Sequence, residues 1–323
     1  MKKVTRIALI IACALIFVGV ALFTVVMTAN GWDFKKLSTV KYQTKNYEVS
    51  ETFTDISIKT QTADVVFVGA DGEQCKVVCY EEKKVSHSVS VQDGTLTIKA
   101  IDNRAWYDHI GFSFGSPKLT VYLPKTEYVS LKIEGATGDT KIPNGFTFES
   151  IAVTGSTGDI DCGASALGLM KIKSSTGDIR LENVSVGSLS LTLSTGDIAL
   201  KNVACGGEIK AKVSTGEMEL SGVSCNKLLL NGDTGDVILK DVAAVQTLSV
   251  ETDTGDVRLD GCDSGEIYIQ TDTGDVTGTV LRGMQFVAES DTGDIKVPPS
   301  TEGGKCEIKT DTGDIKISVK EEN

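Results

Sequence analysis

The chain has 323 residues, 41% of them hydrophobic and 24% charged, a composition that excludes an intrinsically disordered protein and fits one large or two ordinary domains. Its 44 acidic against 32 basic residues leave a net charge of -12, which argues against nucleic acid or anionic lipid as partners, since both are held by basic patches. With 33 glycines and 5 prolines, many tight turns between short strands are expected.

In chain order, residues 1–6 contain Lys2, Lys3 and Arg6 and precede Ile7–Met27, a run without charge. At about 1.5 Å per residue this run crosses the roughly 30 Å hydrocarbon core as a helix. No further basic residue occurs before Lys35, so the positive-inside rule predicts a cytoplasmic N-terminus and an exterior remainder. A cleaved signal peptide would need a shorter apolar core and a small-residue cleavage site, which Thr28-Ala29-Asn30 supplies poorly. Ile10-Ile11-Ala12-Cys13 loosely resembles a lipoprotein site, but few apolar residues precede Cys13 and the run continues past it. The expected layout is a cytoplasmic tail (1–6), an uncleaved anchor (7–27) and a polar juxtamembrane stalk (28–50).

Residues 51–130 alternate apolar and polar positions in "TDISIK", "ADVVFV", "TLTIKA" and "KLTVYLP", the period of half-buried strands. This region reads as irregular starting coils or a cap. Within it, "DNRAWYDHIGFSFGS" holds Trp106, Tyr107, Phe112 and Phe114, which either cover an open apolar end or form a partner-binding loop.

Residues 131–323 are a repeat. Thr-Gly-Asp, once Thr-Gly-Glu, occurs ten times, at Gly138, Gly158, Gly177, Gly196, Gly216, Gly235, Gly255, Gly274, Gly293 and Gly313, with spacings of 19 or 20. Aligned on the glycine, apolar columns stand seven and five positions before it and two, four and seven after it; Leu189, Leu191, Ile198, Leu200 and Val203 are one set. Each unit is too small to bury its apolar residues alone, and stacking places like residues about 4.8 Å apart. The predicted fold is all-β, a single-stranded β-solenoid (β-helix) of 19–20-residue coils behind one transmembrane helix. By parity the threonine before each glycine should point inward as a hydroxyl ladder. Cys162, Cys262 and Cys306 fall in inward columns as small hydrophobes, and Cys205 and Cys225 share a column in adjacent coils, where a disulfide could form.

The strand "L-x-V-x-L-P" at Leu119–Pro124 and the repeated "T-G-D-I" corners resemble a bacterial family of unknown function labelled "putative adhesin", over roughly residues 50–320. The resemblance implies a surface β-solenoid behind a membrane anchor, in places near envelope-stress regulators. It implies no reaction.

Five repeats read Asp-Thr-Gly, the tripeptide of aspartic proteases. Those enzymes bring two such loops face to face to share one proton, whereas these lie on successive coils of one edge and each is followed by another Asp. What remains is a double acid ladder of Asp233, Asp236, Asp253, Asp256, Asp272, Asp275, Asp291, Asp294, Asp311 and Asp314. Like charges about 4.8 Å apart must be relieved. Turn hydrogen bonds with counter-charges such as Arg180, Arg258 and Lys316 are one answer, and calcium bridging carboxylates is the other. Calcium is thus the one cofactor the sequence suggests, and no catalytic residue is assigned. His87 and His109 show no metal-ligand spacing. The function expected is a non-enzymatic binding or scaffolding surface of the bacterial envelope, adhesin-like or an envelope-stress accessory. A calcium-stiffened spacer is the alternative, and a carbohydrate-active β-helix enzyme a distant one. The expected partners are the membrane through Ile7–Met27, an envelope protein or glycan, and a second rod end to end.

Overall fold

A computed structural model describes residues 3–38, 40–70, 72, 74–109 and 115–320. Phe112 and Phe114 lie outside the described residues. The first element is helix α1, Lys3–Ala29, most of whose apolar side chains point to the surroundings: Leu15 is 68% and Phe17 76% exposed, whereas Met27 near its end is buried. Thr5–Ala29 is long and apolar enough to cross a membrane. A 3-10 turn, Phe34–Leu37, follows, with the Phe34 ring 6.5 Å from that of Phe23 on α1.

Everything beyond is one continuous sheet wound into a solenoid. The repeats stack as parallel coils in register: Ile160, Ile179, Ile198, Met218, Val237, Val257 and Val276 pair in turn, each two residues after its corner glycine. Columns seven before, five before, two after and four after the glycine are largely buried, as the alternation predicts, except in the coil of Gly293, where Ile295 is exposed; the column seven after is buried from Val184 to Cys262 and opens at Leu281. The buried members form one core cluster reaching from Val49 to Ile317. Burial of such aliphatic columns is the main stabilising term, roughly 25 cal/mol per Å² of apolar surface. All eight cysteines are free thiols; Cys162, Cys225 and Cys306 are buried with thiols pushed up to about 12, so they serve as small hydrophobes. Cys205 and Cys225 sit in their shared column unbonded.

Two corners of the coil are visible in the backbone. At the Thr-Gly-Asp corner every glycine has positive φ, from 113° at Gly177 to 157° at Gly274. Six residues on, Asn183, Asn202, Gly222, Asp241 and Gly261 have φ between 50° and 66°. These are the residue types that tolerate the left-handed region, a second corner that apolar counting passes over.

The N-terminal cap departs from sequential stacking. Its strands are β1 (Tyr42–Val49), β2 (Asp55–Lys59), β3 (Asp64–Ala70), β4 (Cys75–Glu82), β5 (Val85–Gln92), β6 (Thr95–Asp102), β7 (Lys118–Pro124), β8 (Glu127–Glu134) and β9 (Thr140–Ile142). The β2–β3 coil lies between the β6–β7 coil and the β8–β9 coil, all parallel. Beyond it, β5 runs antiparallel to β6, β4 to β7, and β1 to β4. Residues 42–49, expected as stalk, are thus a strand of the cap, because Tyr47 and Val49 have an apolar partner face on β4.

The other end is also out of order. Val257–Thr273 pairs with Lys305–Thr312, and Val276–Val280 with Ile315–Val319. Gln285–Thr292 pairs with Lys305–Thr312 as well, so the last repeat is inserted between the two before it. The coil of Gly293 is therefore the tip. Pro298 and Pro299 follow its two-residue strand Ile295–Lys296, and proline, lacking an N–H, belongs at a sheet edge.

Candidate functional site

The acid ladder is built by the corner itself. In the coil of Gly196, the Gly196 N–H donates to the Thr215 carbonyl and the Ile198 N–H to the Glu217 carbonyl, each at 2.9 Å. The N–H of Asp197 between them is served by the coil behind, donating to Oδ1 of Asp178 at 2.9 Å. The same bond links Asp139 to Asp64, Asp159 to Asp139, Asp178 to Asp159, Glu217 to Asp197, Asp256 to Asp236 and Asp275 to Asp256. A short acceptor one residue past the glycine is what this geometry demands. Asp64 supplies it from Thr62-Ala63-Asp64, so a corner of the same kind stands in the cap although its glycine is replaced by Ala63. Glycine is required for a second reason: a Cβ on Gly235 would lie 2.0 Å from the carbonyl oxygen of Gly216, and one on Gly255 would lie 2.0 Å from that of Gly235.

The outer carboxylate oxygens take counter-charge. Arg180 reaches Oδ2 of Asp159 at 3.0 Å and of Asp178 at 2.5 Å, Arg258 reaches Asp256 at 3.1 Å, and Lys316 reaches Asp314 at 2.7 Å. The N–H of Asp178, with Arg180, holds the Asp159 carboxyl below its ordinary value, and Lys316 with the N–H of Asp294 does so for Asp314. Glu217 behaves oppositely: burial, with Asp197, Glu219 and Asp236 close by, pushes its carboxyl up.

The second acid column, Asp233, Asp253, Asp272, Asp311 and Asp291 in spatial order, lies at the surface beside the exposed threonine column. The threonines before the glycines point outward, contrary to the parity argument. All four corner residues, from two before the glycine to one after, face out, so the phase slips one residue earlier than the sequence suggests. The buried hydroxyls stand three before the glycine instead: Thr271 donates to the Gly255 carbonyl at 3.3 Å and Thr310 to the Gly274 carbonyl at 3.1 Å.

The cap holds a cluster that local spacing conceals. Cys79 and Glu81, two apart on one face of β4, meet His87 of β5, all buried, with ligand atoms within 4.8 Å of one another. Glu81 is the centre. Its oxygens lie 3.0 Å from Lys45 Nζ and 3.0 Å from His87 Nδ1, and they accept the His87 N–H at 2.6 Å. Burial pushes the Glu81 carboxyl up, but the bonds from His87 and Lys45 outweigh it and leave it below its ordinary value. The other ring nitrogen of His87 is 3.3 Å from Thr60 Oγ1. Charge and polarity are satisfied internally, so this is first an ion network that pins the hairpin onto the coils. Cys79, its thiol pushed up to about 12 by burial, adds packing.

Of the aromatic loop, Trp106 is 78% and Tyr107 58% exposed on a 3-10 turn, Trp106–His109, their rings edge to face at 5.9 Å. They do not cover the apolar end of the core; β4 and β5 do. Beside them lies a cavity of about 370 Å³ lined by Lys41, Lys83, Lys84, Arg104 and Tyr107 among others.

Parallel coils closed by glycine corners, with every outward column in register, define a β-solenoid repeat protein. A family model described as Toastrack DUF4097 matches residues 53–211 and 206–323, and the chain belongs to that family. The structure resembles that of a "putative adhesin" from Parabacteroides merdae, 12% identical, with a TM-score of 0.51 over 76% of this chain and 98% of the other. A "putative adhesin" from Bacteroides fragilis is 16% identical, with a TM-score of 0.42 over 86% and 97%. A "putative lipid binding protein" from Parabacteroides distasonis is 16% identical, with a TM-score of 0.48 over 74% and 97%. The first likeness speaks to fold alone. No curated protein matches the sequence.

Proposed function

We propose that the chain is a non-enzymatic, membrane-anchored β-solenoid that presents a rigid binding or scaffolding surface outside a bacterial cell membrane. The observation that carries this reading is the pairing of a helix with an apolar stretch long enough to cross a membrane and almost wholly exposed, with a rod whose outward columns repeat in register. An exposed helix of this hydropathy is costly in water and stable in a bilayer. Fixed backbone ladders hold outward side chains at a constant spacing, which suits an extended partner rather than a cleft substrate.

The buried cysteines make the topology testable. Only Cys13 is exposed, and it lies within α1, so a Thr234→Cys variant offers one accessible thiol on the rod. A membrane-impermeant maleimide should label it in intact cells; labelling only after lysis would reverse the orientation. Photo-crosslinkers placed at Thr234 and Tyr107 in intact cells should then join the chain to an envelope protein or glycan. No adduct from either position would leave a spacer.

The calcium-stiffened spacer remains the second reading, on one observation: among the described residues, no hydrogen bond or ion pair engages the carboxylates of the second column, Asp233, Asp253, Asp272, Asp291 and Asp311, unlike those of Asp178, Asp256 or Asp314. Melting in EDTA and in millimolar calcium, for the wild type and for Asp253→Asn/Asp272→Asn/Asp291→Asn, separates the two. A calcium-dependent rise lost in the variant assigns this column to metal. An unchanged wild type, with the variant equally or more stable, leaves Asp-Thr-Gly-Asp as a turn.

A further inference from the structure

The acidity of this protein is segregated. Residues 131–323 hold 31 acidic and 17 basic residues, whereas residues 31–130 hold 13 and 12. In the latter stretch Lys41, Lys83, Lys84 and Arg104 gather around the 370 Å³ cavity of the cap. Asp108 holds Lys84 at 2.5 Å, and Asp102 holds Arg104 at 2.7 Å with Glu82 further off at 3.8 Å. Among the described residues, no carboxylate forms an ion pair with Lys41 or Lys83. The two are tied at adjacent points of the sheet edge, the Lys83 N–H donating to the Lys41 carbonyl at 2.9 Å. The overall charge, which argued against anionic lipid, is therefore a property of the rod and not of this end of the cap.

This end is also the one next to the anchor. The 3-10 turn Phe34–Leu37 is folded back on α1 through the Phe23–Phe34 contact. Four Cα steps from Leu37 to Lys41 span at most about 14 Å. Trp106 and Tyr107, exposed on the same rim, are the residue types that settle at a bilayer–water interface. Lys84 Nζ lies 5.8 Å over the Tyr107 ring, so cation and aromatic share one surface.

We propose that this end of the cap docks on the bilayer that holds α1, the cavity taking the phosphate of an anionic phospholipid headgroup between Lys41 and Lys83 while Trp106 and Tyr107 enter the interface. It rests on the reading of α1 as a membrane anchor. Basic side chains beside an anionic surface attract it within a Debye length, so docking weakens with salt.

The test uses residues 31–323, which fold without α1 because the core cluster contains no residue of the helix. Flotation with vesicles of phosphatidylcholine alone and with 30% phosphatidylglycerol at 0.1 M salt is expected to show binding only to the latter. Lys41→Glu/Lys83→Glu should lose it at least tenfold, and Trp106→Ala/Tyr107→Ala, whose side chains are exposed, should lose it in part. Lys210→Glu/Lys212→Glu on the rod should behave as wild type. Equal binding to both vesicles, or equal loss in the rod variant, would overturn the site. If inorganic phosphate raises the melting temperature of the wild type but not of Lys41→Glu/Lys83→Glu while vesicles do not bind, the cavity takes free phosphate and the docking is wrong. Carbonate extraction of the full chain reports on the anchor separately: a chain resistant to extraction whose fragment ignores phosphatidylglycerol sinks the docking alone.

Discussion

The backbone N–H of Asp314 donates to Oδ1 of Asp275 at 2.8 Å across 39 residues of chain, and that of Asp294 donates to Oδ1 of Asp314 at 2.8 Å. The last repeat is thus an inner coil with neighbours on both sides, and the repeat before it is the tip. A coil paired on both sides is held more firmly than one paired on one side, and the coil of Gly293, paired on one side only, serves as the cap. Native-state hydrogen exchange should find Cys306–Thr312 slower than Phe286–Thr292. The reverse order would mean that the coils stack as they follow in sequence.

Glu217 interrupts the corner ladder. Its own N–H is served by Asp197, but no bond joins the Asp236 N–H to its longer side chain. Its carboxyl is raised, so ionisation opposes folding: the favourable contribution is full below the unfolded value near 4.5 and is lost as pH rises through the folded one. Glu217→Gln should therefore melt above wild type at pH 7 and no higher at pH 3. Glu217→Asp should restore the bond and gain about 1 kcal/mol, roughly 2–4 °C in melting temperature.

Thr252 is buried and its Oγ1 has no hydrogen-bond partner, unlike Thr271 and Thr310 in the same column. Val213 and Leu193 occupy that column two and three coils away and are buried as apolar side chains. Thr252→Val should stabilise by about 1 kcal/mol, since an unpaired buried hydroxyl is replaced by a methyl of similar volume. A loss of stability in the melting curve would show that the hydroxyl is satisfied after all.

Acid should open the cap by way of Glu81. Its carboxyl is depressed, so its contribution is present above the unfolded value of 4.5 and is lost as pH falls through the folded one. Glu81→Gln should cost on the order of 2 kcal/mol at pH 7, where it strips Lys45 and His87 of their acceptor. Below about pH 4 the difference should shrink. Chemical denaturation at pH 7 and pH 3.5 reads both.

Gly235→Ala should be severe. The substitution places a methyl against the Gly216 carbonyl at a φ of 138°, and neither coil can yield without breaking its neighbours' ladder. A loss on the order of 3 kcal/mol is expected in urea melts. A mild effect would mean the corner can separate.

How much of this was legible in the chain follows from the range of the interactions. The period of 19 or 20, the apolar columns and the glycine corners are local and repeated, so the sequence by itself determined the solenoid, its register and the lipophilic helix. The left-handed corner at Asn183, Asn202, Gly222, Asp241 and Gly261 was legible in principle, as Asn, Asp and Gly share one offset, but it carries no apolar signal. Only the tertiary structure decided the order of the final coils, because Asp291–Lys296 and Asp311–Lys316 are the same hexapeptide, Asp-Thr-Gly-Asp-Ile-Lys, and either fits the coil of Gly274. Pro298-Pro299 was the one hint of which belongs outside. The Glu81 network and the Lys41–Lys83 pair were out of reach for the same reason. They arise from antiparallel pairing of β1 with β4, where partners run from Val49–Cys75 to Tyr42–Glu82, and pairing at that range leaves no periodic mark on the sequence.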